Sequence, residues 1–223
     1  GPIGRPAAES WPELVLGVGG DDTTRSESAP GSRIGSWRLG AELGRGGMGT
    51  VYAAERADGS YEKSAALKLL RLEVDLPELR ERFERERRIL ARLEHPAIAR
   101  LLDGGLTANG RPFLVLERVD GEAITTYCDR RKLDVEARLR LFLQVLDGVE
   151  FAHRNLVVHR DLKPSNVLVA APGTVKLVDF GVAKLERGIE PTGDDEEALV
   201  IDETPEYMAP EQARAGIADA RSD

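Results

Sequence analysis

Three short β-like runs of apolar and polar residues, at 37–43, 50–56 and 64–70, are separated by turn signals at Gly46-Gly47 and Asp58-Gly59. Runs of this length bounded by such turns predict strands, and three in succession predict a small antiparallel sheet. The pattern then changes. Pro77 suits a first helical turn, with Asp75 or Leu76 just before it, and Leu79, Phe83, Leu90 and Leu93 then fall on one helical face. Strands are predicted again at 99–102 and 113–117, followed by a long amphipathic helix over 135–154. Its apolar positions are Leu139, Phe142, Leu143, Leu146 and Val149, with Asp134 as N-cap. Two β-rich runs, 167–170 and 175–178, flank Ala171-Pro172-Gly173-Thr174 and predict a hairpin. Strands first and helices later give an α+β, two-lobed body with a cleft between the lobes.

Composition sets the limits of that body. Residues 1–35 carry Gly, Pro, Ser and acidic clusters without periodicity, so a flexible tail is expected there, with Trp11, Leu14, Val15 and Leu16 its one apolar cluster. The first lobe with its connection to the second then covers 36–119, and the second lobe 120–223. A net charge of −8 over 223 residues, with no stripe of Lys and Arg, argues against a nucleic-acid binder. No apolar run reaches membrane-span length. Cys128 is the only cysteine, so no internal disulfide forms and a reducing cytoplasm is the expected setting.

The hairpin delivers chemistry. With Ala170 paired to Val175, its register puts Asn166 opposite Asp179, with Cα atoms about 5 Å apart. An amide and a carboxylate at one spot suit a hard cation such as Mg²⁺, which takes few protein ligands and completes its shell with phosphate and water. Asp161, just upstream, is placed to accept a proton from an incoming hydroxyl. Glu86 falls on the apolar face of the first helix, where a carboxylate is costly unless paired. Lys68, inside the apolar strand 64–70, is the matching orphan charge, unless either group reaches solvent along its stem. The glycines of Gly44-Arg45-Gly46-Gly47-Met48-Gly49 precede a strand-like Thr50-Val51-Tyr52, which favours a flap between strands over a dinucleotide-binding loop opening a helix; a plain glycine hairpin is the alternative.

HRDLKPSN at 159–166, DFG at 179–181 and APE at 209–211, behind a Gly-rich loop and a strand Lys, occur in the order of the protein-kinase signature set. The chain resembles a eukaryotic-type Ser/Thr protein kinase of the kind found in bacteria. That resemblance implies a β-rich N-lobe and a helical C-lobe lacking its last helices. The implied activity is transfer of phosphoryl from ATP, with Mg²⁺ or Mn²⁺, to Ser/Thr of proteins, autophosphorylation included, in bacterial signalling. It makes Asp161 the catalytic base, sets Lys163 beside the γ-phosphate, and pairs Lys68 with Glu86 to orient the other phosphates. Asn166 and Asp179 would hold the metal. Leu43, Gly44, Gly46, Gly47 and Gly49 would cover the nucleotide. Val51, Ala66 and Leu168 would sandwich adenine, Glu117 and Val119 would bond it through their backbone, and Leu116 would guard the back of the pocket. Two other readings stay open, a fragment that binds nucleotide or partners without efficient turnover and a small-molecule kinase, the latter disfavoured by KPSN and APE.

Regulation is read from the same segment. Arg160 resembles the residue that pairs with an activation-loop phosphate, with Thr192 as main acceptor, Thr204 in a segment resembling the substrate-docking one, and the acids 194–197 as a partial substitute for phosphate. Glu203 stands where such kinases often have Gly. The resemblance covers about 34–223, and the absence of later C-lobe helices would leave Leu143 and Leu146 facing solvent, from which self-association is expected.

Overall fold

A computed structural model of the chain describes residues 29–46, 49–58, 64–71, 77–180, 205–215 and 219–223. Strands β1 (Arg33–Ile34), β2 (Trp37–Gly46), β3 (Gly49–Arg56), β4 (Ser64–Leu70), β5 (Leu101–Leu106) and β6 (Pro112–Glu117) form an antiparallel sheet in the order β1-β2-β3-β4-β6-β5. Alternate residues point into one core, where Trp37, Leu39, Tyr52, Leu67 and Leu69 are each at most 5% exposed. The indole Nε1 of Trp37 donates to Asp103 Oδ2 at 2.8 Å, so this large side chain is buried with its one donor satisfied. Helix α1 (Pro77–Leu90) rests on the sheet through Phe83, which packs with Leu70 and Leu114.

The second lobe holds a three-stranded sheet of β7 (Gly121–Ala123), β8 (Val167–Ala170) and β9 (Thr174–Leu177), with helices α2 (Ile124–Arg130), α3 (Val135–Arg154) and α4 (Pro210–Ala215). Asp134 caps α3 as expected, its Oδ1 accepting from Ala137 N at 2.8 Å. Among the described residues no helix is long and apolar enough to cross a membrane.

Three features differ from the sequence reading, and the exposed row of the long helix follows it. Ile34, 3% exposed, pairs with Trp37 and brings residues 33–34 out of the expected tail into the sheet, because covering the Trp37 edge outweighs the flexibility of its Gly/Ser neighbours. The fifth strand starts at Leu101 and not at residue 99, since Ala99 N donates to Leu177 O (2.9 Å) and Leu177 N to Ala97 O (2.7 Å), holding that segment on the other lobe. β7 and α2 carry no strong signal: one is three residues long, and the other begins at Ala123 without a side-chain cap. On α3 Leu143 and Leu146 face solvent as expected, and with Leu139 and Phe142 are 47–63% exposed, while the buried row is Leu141, Val145, Gly148, Val149 and Ala152. Both rows have helical period, and packing selects the second: a Cβ on Gly148 would stand 2.9 Å from Leu177 Cδ1, so only that face approaches β9 this closely.

Candidate active site

The β8–β9 hairpin is one residue out of the expected register. Ala170 pairs with Thr174 and Val167 with Leu177, so Asn166 stands opposite Val178, whose N–H donates to Asn166 O at 3.0 Å. The connection is three residues long, closed by Gly173 at φ +117°, a conformation that favours glycine, with its N–H on Ala170 O at 2.7 Å. A slip of one normally sends a side chain to the other face. Here the ladder has already ended: Asn166 closes a 3₁₀ turn (Pro164–Asn166), and Asp179 takes φ +64°, so both residues still line one cavity.

That cavity lies between the lobes and measures about 660 Å³, within the roughly 300–1,000 Å³ typical of small-molecule sites. Leu43, Gly44, Val51 and Ala66 form its roof, Leu116, Glu117 and Val119 its inner edge, and Leu168 with Asn166 and Asp179 its floor. Val178, Ser165 and Gly121 also line it; sequence reasoning missed them, although Val178 directly precedes a motif aspartate. Leu116 is also a wall of a smaller apolar space behind, with Leu114 and Phe180. The glycine segment is a flap between strands, with Gly44 paired to Val51 and Gly46 to Gly49. Gly49 has φ +144°, and a Cβ there would lie 2.3 Å from Leu69 O, so no other residue fits. Gly47 lies outside the described residues, as do Thr192, Thr204, Glu203 and the acids 194–197.

The charges at the floor are interlocked. Lys68, 5% exposed, sits 3.1 Å from Asp179 Oδ2. This corrects the expected Lys68–Glu86 pair: Glu86 is half-buried on the shoulder of α1, lining an open groove with Glu81, Arg82 and Arg85. The adjacent Arg87 turns toward the sheet instead, donating to Gly104 O and to Glu84 Oε2. A buried ammonium needs a carboxylate, and Asp179 is the one that reaches it. Asp161 Oδ2 accepts from Asn166 Nδ2 at 2.9 Å and lies 3.0 Å from Lys163 Nζ. The Nδ2 of Asn166 also donates to Asp161 O at 2.8 Å, so Oδ1 is the atom with which Asn166 would ligate a cation. That oxygen and the Asp179 carboxylate are hard donors, a set that fits Mg²⁺.

The loop carrying Asp161 is held by groups the sequence reading did not single out. Asp223, its side chain 1% exposed, accepts from His159 N (2.7 Å) and Arg160 N (2.8 Å) and bonds His153 Nε2 (2.8 Å). These bonds fix Arg160 at φ +73°, a left-handed conformation costly for a non-glycine residue. Gln212 of α4 donates to Arg160 O at 2.7 Å, tying the segment after APE to the same loop.

His159 is fully buried against Phe180, with ring centroids 4.4 Å apart. Its Nδ1 accepts from Asp161 N (3.3 Å), so Nε2 carries the proton and donates to Val178 O (3.0 Å). Burial holds its pKa below the ordinary histidine value, against the opposing pull of the Asp223 charge. The unfolded chain takes up this proton near pH 6.5 and the folded chain resists it, so this contribution to stability is complete above about pH 6.5 and is lost as pH falls below it. Thermal melts from pH 7.5 to 5.5 are therefore expected to show a steeper loss for the wild type than for His159→Gln. Parallel slopes would contradict a neutral buried ring.

The protein kinase domain profile matches residues 37–223. The chain belongs to the protein kinase family. The chain is 39% identical over 198 residues to the serine/threonine-protein kinase Pkn1 of Myxococcus xanthus, covering 86% of this chain and 28% of that protein. It is 35% identical over 194 residues to the serine/threonine-protein kinase PknB of Mycobacterium tuberculosis, covering 84% of this chain and 30% of that one. These relatives place it among the bacterial eukaryotic-type Ser/Thr kinases, of whose lengths it spans about 28–30%. A crystal structure of the Mycobacterium tuberculosis PknI kinase domain superposes with a TM-score of 0.64 at 28% identity, covering 87% of this chain and 70% of that one.

Proposed function

We propose that this kinase binds ATP with a divalent cation in the interlobe cavity and transfers the γ-phosphoryl group to Ser/Thr hydroxyls of proteins, itself included. One observation carries the reading: Asn166 and Asp179 line the floor of a nucleotide-sized cavity, and ion pairs and hydrogen bonds hold Lys68 against Asp179, Asp161 against Asn166 and Lys163 against Asp161. Mg²⁺, when bound, would neutralise charge on the phosphates. Asp161 would take the proton of the incoming hydroxyl, with Lys163 balancing its charge and Asn166 fixing its orientation. Lys68 would direct its ammonium at the phosphates, and the main chain at Glu117 and Val119 would bond adenine. Arg160, Thr192 and Thr204 are the proposed regulatory residues. A reducing cytoplasmic setting, which buried Cys128 tolerates, and self-association through the exposed row on α3 complete the reading.

Incubation with γ-labelled ATP, Mg²⁺ and a generic protein substrate is expected to yield labelled phosphoserine or phosphothreonine. Chelation of the metal or Lys68→Met is expected to abolish the label. A Mg²⁺-dependent thermal shift with ATP but no label would instead identify a nucleotide binder without turnover.

A further inference from the structure

On the back of the connection between the lobes, away from the cavity, one side-chain pair joins β6 to β9. Glu117 ends β6; it borders the cavity and also lines a separate outer groove with Arg100 and Lys176. Lys176 Nζ lies 3.0 Å from both Glu117 Oε1 and Oε2 and 3.5 Å from Ile98 O. Glu117 Oε2 also accepts from Arg100 N at 3.2 Å, and Glu117 N donates to Arg100 O at 2.8 Å. The side chains are only 17% and 32% exposed for Lys176 and Glu117, so this pair is better shielded than an ordinary surface bridge. Lys176 is cross-strand partner to Leu168 on the cavity floor, and three residues later, just past the end of β9, the chain reaches Asp179. Any opening of the cleft that moves the end of β6 away from β9 must stretch this contact.

We propose that Glu117 and Lys176 form a clasp behind the hinge that limits how readily the lobes part, and thereby sets the rate at which nucleotide leaves the cavity. Both are positioning residues, acting through the hinge backbone and the cavity floor. The proposal rests on the reading of the cavity as the ATP site. Breaking one partner of a shielded charge pair acts chiefly on dissociation.

The test is stopped-flow displacement of a fluorescent ADP analogue from the whole chain and from Lys176→Gln, Lys176→Arg, Glu117→Gln and the double glutamine variant. Lys176→Gln is expected to raise the dissociation rate about 3–10-fold with association nearly unchanged, Lys176→Arg to restore it, and the double variant to match the faster single one. Equal dissociation rates in all variants would overturn the clasp, and so would equal acceleration by Gln and Arg accompanied by equal losses in melting temperature, which marks general damage. Failure of the wild type to bind the analogue at all would overturn the nucleotide reading itself, and the clasp with it.

Discussion

Asp161→Asn is expected to slow phosphoryl transfer about 10²–10⁴-fold, the range for loss of a positioned proton acceptor, while nucleotide affinity changes little. The substitution keeps shape and removes basicity. Asp161 Oδ2 sits between Asn166 Nδ2 (2.9 Å) and Lys163 Nζ (3.0 Å), and an amide oxygen can still accept from both without taking a proton from a hydroxyl. Single-turnover rates beside equilibrium binding of ATP separate the two effects. A loss of affinity as large as the loss of rate would make Asp161 an organiser of Asn166 rather than a group acting on the hydroxyl.

The second large effect is on stability. Asp223→Ala removes the acceptor for two main-chain donors, His159 N and Arg160 N, and the partner of His153, from a site where the carboxylate is 1% exposed. Orphaned buried donors cost about 1–3 kcal/mol each, so a total loss of about 3–5 kcal/mol is expected, read from denaturant midpoints. The loss extends to activity, because these bonds hold Arg160 at φ +73° and so set where Asp161 points. Asp223→Asn keeps one acceptor oxygen and is expected to lose roughly half as much. A change below about 1 kcal/mol for Asp223→Ala would mean that the loop carries its own conformation, with Asp223 a bystander.

The architecture was legible because strand and helix periods are properties of short windows. The runs at 37–43, 50–56 and 64–70 and the Asp134 cap appear where the pattern places them, and the β8–β9 hairpin appears with its register shifted by one. Ten of the residues to which the resemblance assigns nucleotide contact line one cavity. The misses share one cause. The hairpin register depended on Gly173 closing a three-residue connection, and the partner of Lys68 on which carboxylate lay nearest after folding. Glu86 has the right spacing for the face of α1, yet spacing alone does not say how far the helix is turned on the sheet.

Neighbouring residues alone set the local elements and the candidate side chains those elements present, because motif order, capping and hydrophobic period are written at short range. Which charges meet was settled by the folded chain. Asp223 reaches the catalytic loop across 63 and 64 residues of chain, and Lys176 reaches Glu117 across 59. Pairings at that range are fixed by burial and the need to satisfy every enclosed polar group, quantities that exist only once the lobes have closed on one another.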